Sequence, residues 1–160
     1  MNKKYMTRRI LDTYSEEIFS KELIKKNQEP FFPFKDKGVD IIGVDKMNNL
    51  FFYQLKARNI NLRYREYWFK VEEKKLRLFP KTNKSFWVFC CFKDNGIFDF
   101  FVVPLNVVEK WYTIEKNVRK SKKGSYFLSI KPKNNETYEL APKRLNDNIS
   151  LWVLFISIYQ

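Results

Sequence analysis

The sequence predicts a mixed α/β domain in which a sheet is flanked by helices. An amphipathic helical pattern covers residues 5–27, and two apolar segments, 39–44 and 50–58, lie on either side of a polar turn. A second helical pattern, at 106–119, follows further strand-like segments. Helices before and after a group of strands are typical of layered α/β folds rather than of helical bundles or β-sandwiches.

The first predicted element is the N-terminal helix. Its apolar residues recur at intervals of three and four, which is the spacing of one helix face. The stripe has Leu11 beside Ile10, Tyr14 and Ile18 on one side, and it is extended by Phe19, Leu23 and Ile24. The helix is expected to end before Pro30, which disfavours helical backbone in the residue that precedes it. Residues 31–34 are interpreted as a linker or an edge segment.

A hairpin is the next predicted element. Residues 39–44 form its first strand, 45–49 its Asp- and Asn-rich turn, and 50–58 its second strand. A third strand is expected at 66–72, which would complete a three-stranded meander. A short helix or a loop follows it.

Later segments predict a second hairpin, a helix and further short strands. Residues 86–92 and 97–103 are the hairpin arms, joined by a turn at 94–96. After the helix at 106–119, we expect a basic loop at 120–124, short strands at 126–131 and 137–140, and either a helix or a strand at 148–159.

Length and composition fit one folded domain that spans residues 1–160. A chain of 160 residues with 44% hydrophobic and 18% aromatic side chains can bury a sizeable core. The N-terminal segment lacks the apolar stretch of a signal peptide. The apolar run at 149–159 is too short to cross a bilayer. The sequence therefore predicts a soluble protein with no membrane partner.

The charge of the chain predicts a polyanionic partner. Lys and Arg number 31 against 18 Asp and Glu, a net charge of +13, and nucleic acid is the commonest partner of such a surface. An AT-rich genome would also enrich Lys, Asn, Ile, Phe and Tyr without any selection for binding. The absence of His excludes His-based general bases, Ser–His and Cys–His nucleophiles and His-containing zinc sites.

The two cysteines are neighbours, Cys90 and Cys91, in an apolar segment. Adjacent cysteines form neither an ordinary disulfide nor a metal-binding pair of CxxC type. They are interpreted as small core residues in a reducing, cytoplasmic setting.

The hairpin carries polar residues that a buried strand would not favour. Alternation places Gln54 and Lys56 on one face of the second strand, and Asp40 opens the first strand just after Gly38. If the strands pair around the 45–49 turn, these side chains share a polar pocket at one edge of the sheet. In a shared pocket the groups can pair with one another, which offsets the free-energy cost of burying each of them alone.

This set of donors predicts a magnesium site. Phosphodiester hydrolysis needs a divalent cation, an activated water and charge stabilisation, and Mg²⁺ prefers oxygen ligands. Asp40 can supply a carboxylate oxygen, Gln54 its amide oxygen, and Leu55 its backbone carbonyl. Lys56 can orient the attacking water or stabilise developing negative charge. Mn²⁺ is the expected substitute for Mg²⁺.

Asp40, thirteen intervening residues, and then Gln54-Leu55-Lys56 resemble the motif of the PD-(D/E)XK nuclease superfamily. The resemblance covers roughly residues 8–112. It implies a restriction-endonuclease-like core of order αβββαβ and a helical acid, which falls on Glu16, with Glu17 as the fallback. Val39 replaces the Pro of the motif, and Gln54 replaces its second acid.

Basic and aromatic residues follow the motif. Arg58, Arg63 and Arg65 can neutralise phosphates, and Lys122 and Lys123 lie in the later basic loop. The interleaved Tyr64, Tyr67 and Trp68 either stack on nucleic acid or pack in the core.

The leading hypothesis is a Mg²⁺-dependent DNA endonuclease of the restriction, homing or junction-resolving type. It is expected to act as a homo-oligomer, a dimer or a tetramer, because cutting a duplex needs two active sites. The alternatives are a DNA-binding protein that keeps the nuclease fold with an inactive site, and a small accessory protein whose charge reflects genome composition.

Overall fold

A computed structural model describes residues 7–34, 38–113, 119–120, 125–132, 138–141 and 154–157. The helices are α1 (Arg8–Lys25), α2 (Glu73–Leu78) and α3 (Leu105–Thr113). The first six strands are β1 (Gln28–Phe31), β2 (Ile41–Asp45), β3 (Leu50–Asn59), β4 (Tyr67–Glu72), β5 (Ser85–Phe92) and β6 (Phe98–Pro104). The last four are β7 (Arg119–Lys120), β8 (Ser125–Pro132), β9 (Tyr138–Ala141) and β10 (Leu154–Ser157).

The main sheet is mixed. Its strand order is β1-β2-β3-β5-β6, with the short β10 added beside β6. β3 and β5 run parallel, and every other neighbouring pair in this sheet is antiparallel. β2 and β3 form the predicted hairpin, with Ile41 opposite Tyr53. The predicted α/β class, with an αβββαβ order through α1, β1, β2, β3, α2 and β5, is therefore confirmed.

The meander differs from the sequence interpretation in one strand. β4 forms where a third strand was expected, but it pairs with β8 in a second sheet of order β4-β8-β7, with β9 also on β8. The reason is that parallel β3 and β5 need a crossover connection, which must leave the plane of the sheet. The third strand of the meander is β1, where Pro30 is tolerated because β1 is an edge strand.

Two apolar layers cover the two faces of the main sheet. On one face, α1 packs Leu11, Phe19 and Leu23 against β3, β5 and β6. On the other face, the inward side chains of the second sheet pack against β5, together with Leu76 of α2 and Trp111 of α3. The main sheet is thus buried on both faces in its middle strands.

Two helix predictions need correction. Leu11, Phe19 and Leu23 are buried, as predicted. Ile10 and Ile24 are exposed, because the buried face of α1 is centred on Leu11, Ser15 and Phe19, about 100° further round the helix. α3 ends at Thr113, and Arg119, at the predicted helix end, lies in β7. Of the undecided segment 148–159, residues 154–157 form a strand.

Within the described ranges, no helix is long and apolar enough to span a membrane. Cys90 and Cys91 are buried free thiols in β5, as the sequence predicts. Their side chains lie on opposite faces of the main sheet, one in each apolar layer.

Candidate active site

The candidate site lies where β2 begins and β3 loses its neighbour. The Asp40 N–H donates to the Tyr53 carbonyl at 2.9 Å, which is the last backbone bond on this side of the hairpin. Beyond Tyr53, β3 continues beside β5 alone. The Asp40 carboxylate continues the ladder there, because its Oδ2 accepts the Leu55 N–H at 2.7 Å. Asp40, just before the start of β2, therefore satisfies a backbone group that lacks a strand partner.

Gln54 is the most buried polar residue of the site, with no exposed surface. Its amide nitrogen Nε2 donates to Asp40 Oδ2, and the same nitrogen lies 3.3 Å from the Leu55 carbonyl oxygen. Its amide oxygen Oε1 is buried and has no hydrogen-bond partner among the described residues. The amide nitrogen thus lies against both of the other predicted ligand atoms.

This arrangement fits a hard divalent cation. The three expected ligands, which are the Asp40 carboxylate, the Gln54 amide and the Leu55 carbonyl, converge where the pairing of β2 and β3 ends, inside the main sheet and not at its edge. A half-turn of the amide would bring Oε1 to the position of Nε2 and give an all-oxygen set, the type that Mg²⁺ takes. No three His, Cys, Asp or Glu side chains cluster as a metal site in the described part of the chain. In this set Asp40 is the carboxylate ligand, and water would complete the coordination.

Lys56 is half-buried beside this set. Loss of hydration lowers the pKa of its amine, and the charges of Asp40 and, more weakly, Asp12 oppose that shift. Lys75 and Arg58 lower the pKa further through repulsion. The Lys56 Nζ lies 5.9 Å from the centre of the Trp87 ring, within reach of a cation–π interaction. The amine thus lies at an incompletely hydrated position within the electrostatic influence of the Asp40 carboxylate.

Asp12 on α1 is an acid of this region that the sequence interpretation did not select. Its charge raises the pKa of both Lys56 and Arg58, and it forms an ion pair with Arg8 at 3.8 Å. Glu16, the predicted helical acid, lies one turn later on the same side of α1 and is half-buried. The i, i+4 spacing of the two acids is the signal that could have identified Asp12.

Glu17, the fallback for the helical acid, is placed differently. It is exposed and forms an ion pair with Lys21 at 2.6 Å, in the i, i+4 relation of a solvated helix face. The structure therefore does not bring Glu17 into the group around Lys56.

The predicted nucleic-acid contacts separate into three groups. Arg58 is half-buried, and its Nε donates to the Trp68 carbonyl at 3.2 Å, so it ties β3 to β4. Arg63 and Arg65 are exposed in the turn between these strands. Lys122 and Lys123 lie outside the described residues. Of the interleaved aromatics, Tyr67 is buried in the core, whereas Tyr64 and Trp68 are each 45% exposed.

Comparison with solved structures shows similarity to a nuclease. The chain is similar to a bacterial homing endonuclease, I-Ssp6803I, with a TM-score of 0.55 and 13% sequence identity over 83% of this chain and 81% of that chain. This chain has a nuclease-like fold. At this identity the similarity concerns the fold alone. No protein-family model matches the sequence, and no curated protein matches it either.

The nuclease-like fold places the hairpin of β2 and β3 at the centre of its main sheet. The polar residues that the sequence singled out lie together at one end of that hairpin, between α1 on one face and α2 on the other.

Proposed function

We propose that this chain is a divalent-metal-dependent DNA endonuclease of the PD-(D/E)XK type, with Mg²⁺ as its metal and Mn²⁺ as a substitute. The observation that carries the proposal is the convergence of the Asp40 carboxylate, the Gln54 amide and the Leu55 carbonyl, with the Lys56 amine beside them. The nuclease-like fold supports it, since its solved neighbour is a homing endonuclease.

Each residue has a distinct role in this proposal. Asp40, Gln54 and the Leu55 carbonyl would hold the cation, which supplies an activated water and neutralises charge on the phosphate. Lys56 orients the attacking water and stabilises the negative charge that develops at phosphorus. Asp12 acts on Lys56 and Arg58 through its charge, Glu16 supports the metal ligands or a second metal, and Arg58 braces the strand beyond the site.

The proposal includes a homo-oligomer. The hairpin provides one set of these residues per chain, and a double-strand cut needs two. A dimer or a tetramer would place two sites on opposite strands of one duplex.

A second candidate function is binding of DNA without cleavage. The observation that favours it is the orientation of Gln54, whose amide nitrogen is directed at Asp40. If the cation cannot displace that contact, the protein would keep its basic surface and bind DNA, but it would not cleave it.

The test is nicking of supercoiled plasmid and branched DNA in Mg²⁺, in Mn²⁺ and in EDTA. The wild type is compared with Asp40→Ala and Lys56→Ala, and Lys46→Ala, at an exposed position, is the matched control for Lys56. Metal-dependent nicking that is lost in both site variants and kept in the control supports the nuclease. Full activity in Asp40→Ala contradicts it.

Two other outcomes distinguish the alternatives. Salt-sensitive DNA binding without cleavage, on a library of target sequences as well as on plasmid, favours the binding protein. No binding at low salt favours an accessory role.

A further inference from the structure

The turn between β3 and β4 and the outward face of the second sheet form an exposed basic and aromatic surface. We call this surface the hairpin platform, and it comprises Arg63, Tyr64, Arg65, Trp68, Lys70 and Lys131. β4 alternates strictly between buried and exposed positions, so Trp68 and Lys70 point away from the core while Tyr67 and Phe69 fill it. Across β8, the exposed Phe127 and Lys131 lie on the same outward face. We propose that the hairpin platform binds duplex DNA, and that it does so without the metal.

A stacked column holds the centre of the hairpin platform in place. The rings of Tyr64 and Trp68 stack with centres 5.1 Å apart and an angle of 17° between their planes. The guanidinium carbon of Arg63 lies 5.2 Å from the centre of the Tyr64 ring. The Trp68 Nε1 donates to Glu66 at 3.0 Å, and Glu66 also accepts from Ser129. Ser129 of β8 thus supports Glu66, and Glu66 in turn holds Trp68 in the column.

This column favours duplex DNA over unpaired bases. Tyr64 stacks on Trp68 and lies near the Arg63 guanidinium, so part of its ring surface is already occupied within the protein. Single-strand binders instead present free aromatic faces to successive bases. The Arg63 guanidinium lies near the Tyr64 ring and is exposed. A guanidinium in this position can make bidentate contacts to phosphate or to a base edge, and the major groove is wide enough for two strands.

The backbone of Arg65 gives independent support. Its φ is +54°, a left-handed conformation that is unfavourable for any residue other than Gly and tolerated best by Asn and Asp. Asn61 fixes this turn, since its carbonyl accepts the Arg65 N–H at 2.6 Å and its side chain accepts the Arg63 N–H at 3.1 Å. An exposed Arg thus stands where Gly would be less strained, and its charge faces solvent beside Arg63.

Charge on the hairpin platform is complementary to phosphate. Four of its residues are cationic, and the nearby acids are engaged within the protein. Glu66 is bonded to Ser129 and Trp68, which lower the pKa of its carboxyl, and Glu72 lies 3.4 Å from Lys70. Arg58 joins the platform to the candidate active site, because it follows Lys56 by two residues and bonds the Trp68 carbonyl.

This inference rests on DNA as the substrate in the proposed function, and its test is binding in EDTA, where no cleavage occurs. Anisotropy of a labelled 30-bp duplex is measured against salt for the wild type and for the pairs Lys70→Ala/Lys131→Ala and Tyr64→Ala/Trp68→Ala. Lys26→Ala/Lys46→Ala, at exposed positions elsewhere, removes the same charge as the first pair. The Lys70/Lys131 pair should reduce the slope of log K against log[salt] by about 2, and the aromatic pair should weaken binding roughly tenfold. The Lys26/Lys46 control should do neither.

Arg65→Gly separates recognition from folding. Its melting temperature should equal or exceed that of the wild type, while its affinity for the duplex falls. Equal affinity in all platform variants, an equal loss in the Lys26/Lys46 control, stronger binding to single strands or to RNA, or no binding by the wild type overturns the inference. Plasmid nicking by Asp40→Ala is the separate readout that decides the proposed function.

Discussion

The Asp40 carboxylate accepts the Leu55 backbone N–H at 2.7 Å and so takes the place of a β2 residue that the hairpin lacks. This single contact fixes both a structural and a chemical property of the site. It holds the acid against β3, and it leaves the Leu55 carbonyl, on the same side of the strand, within 3.3 Å of the Gln54 amide.

Gln54→Glu should make the metal-free protein less stable and should raise its affinity for a divalent cation. A carboxylate there would face Asp40 and the Leu55 carbonyl with no donor between them, which should cost about 2 kcal/mol and lower the melting temperature in EDTA by roughly 5 °C at pH 8. Mn²⁺ or Ca²⁺ should then raise its melting temperature more than it raises that of the wild type.

The pH dependence of Gln54→Glu has a defined sign. Repulsion between the two carboxylates raises their pKa in the folded state, so the folded state binds a proton more readily than the unfolded state does. The loss of stability relative to the wild type should therefore become smaller as the pH falls toward 5. Gln28→Glu is the matched control, since Gln28 Oε1 accepts from the Tyr53 hydroxyl at 2.9 Å and a carboxylate can do the same. If the metal raised the melting temperature of Gln28→Glu as much as that of Gln54→Glu, the assignment of Gln54 as a metal ligand would be contradicted.

Lys56→Met should abolish nicking and stabilise the protein. Loss of hydration lowers the pKa of Lys56 below its ordinary value, so the folded state pays to keep the amine charged. Removing the charge should add about 1 kcal/mol at pH 7, or roughly 3 °C in melting temperature.

The gain from Lys56→Met should disappear at high pH. As the pH rises through the lowered folded pKa toward the unfolded value, the wild type loses its proton in the folded state first and recovers this penalty. Melting of both proteins between pH 7 and pH 10 measures the difference. A gain that is constant across this range would show that the effect comes from packing and not from the charge.

Gly38→Ala should strain the backbone just before Asp40 and so disturb the site. Gly38 has a φ of +88°, and a Cβ there would lie 3.7 Å from Gln54 Oε1, so there is room for the methyl group but not for the conformation. The expected cost is about 1–2 kcal/mol, together with slower nicking as Asp40 moves. Gly96→Ala, with a φ of +86° in the distant β5–β6 turn, should lose similar stability at unchanged activity. Equal loss of activity in both variants would count against a link between Gly38 and Asp40.

Asp12→Asn and Glu16→Gln compare the two candidate acids of α1. Because the charge of Asp12 reaches Lys56 and Arg58, Asp12→Asn should slow single-turnover nicking about tenfold, equivalent to 1.4 kcal/mol, and shift its pH profile to lower pH. Glu29→Gln, on the exposed edge of β1, is the isosteric control. A larger effect of Glu16→Gln would identify Glu16, as the sequence predicts, as the principal helical acid.

The hairpin and its polar residues could be predicted because they depend on local patterns. Alternation along β3 placed Gln54 and Lys56 on one face, and the 45–49 turn set the pairing that brings Asp40 opposite. The position of β4 could not be predicted, because its partner β8 lies about 60 residues later and no local pattern encodes that pairing.

The remaining differences concern the direction in which individual side chains point, which sequence spacing gives only approximately. Tyr67 and Trp68 are adjacent aromatics, and only the observed register assigns the first to the core and the second to solvent. Asp12 and Glu16 share a helix face, so sequence spacing alone does not decide which is closer to Lys56.

The opposed placement of Cys90 and Cys91 makes β5 a built-in reporter of unfolding. Both thiols are completely buried, one on each side of the central sheet, and burial raises the pKa of each. A thiol-specific reagent should therefore react only after the layer that covers the cysteine has opened. Single Cys→Ser variants would time the detachment of α1 separately from that of the second sheet, with no added probe.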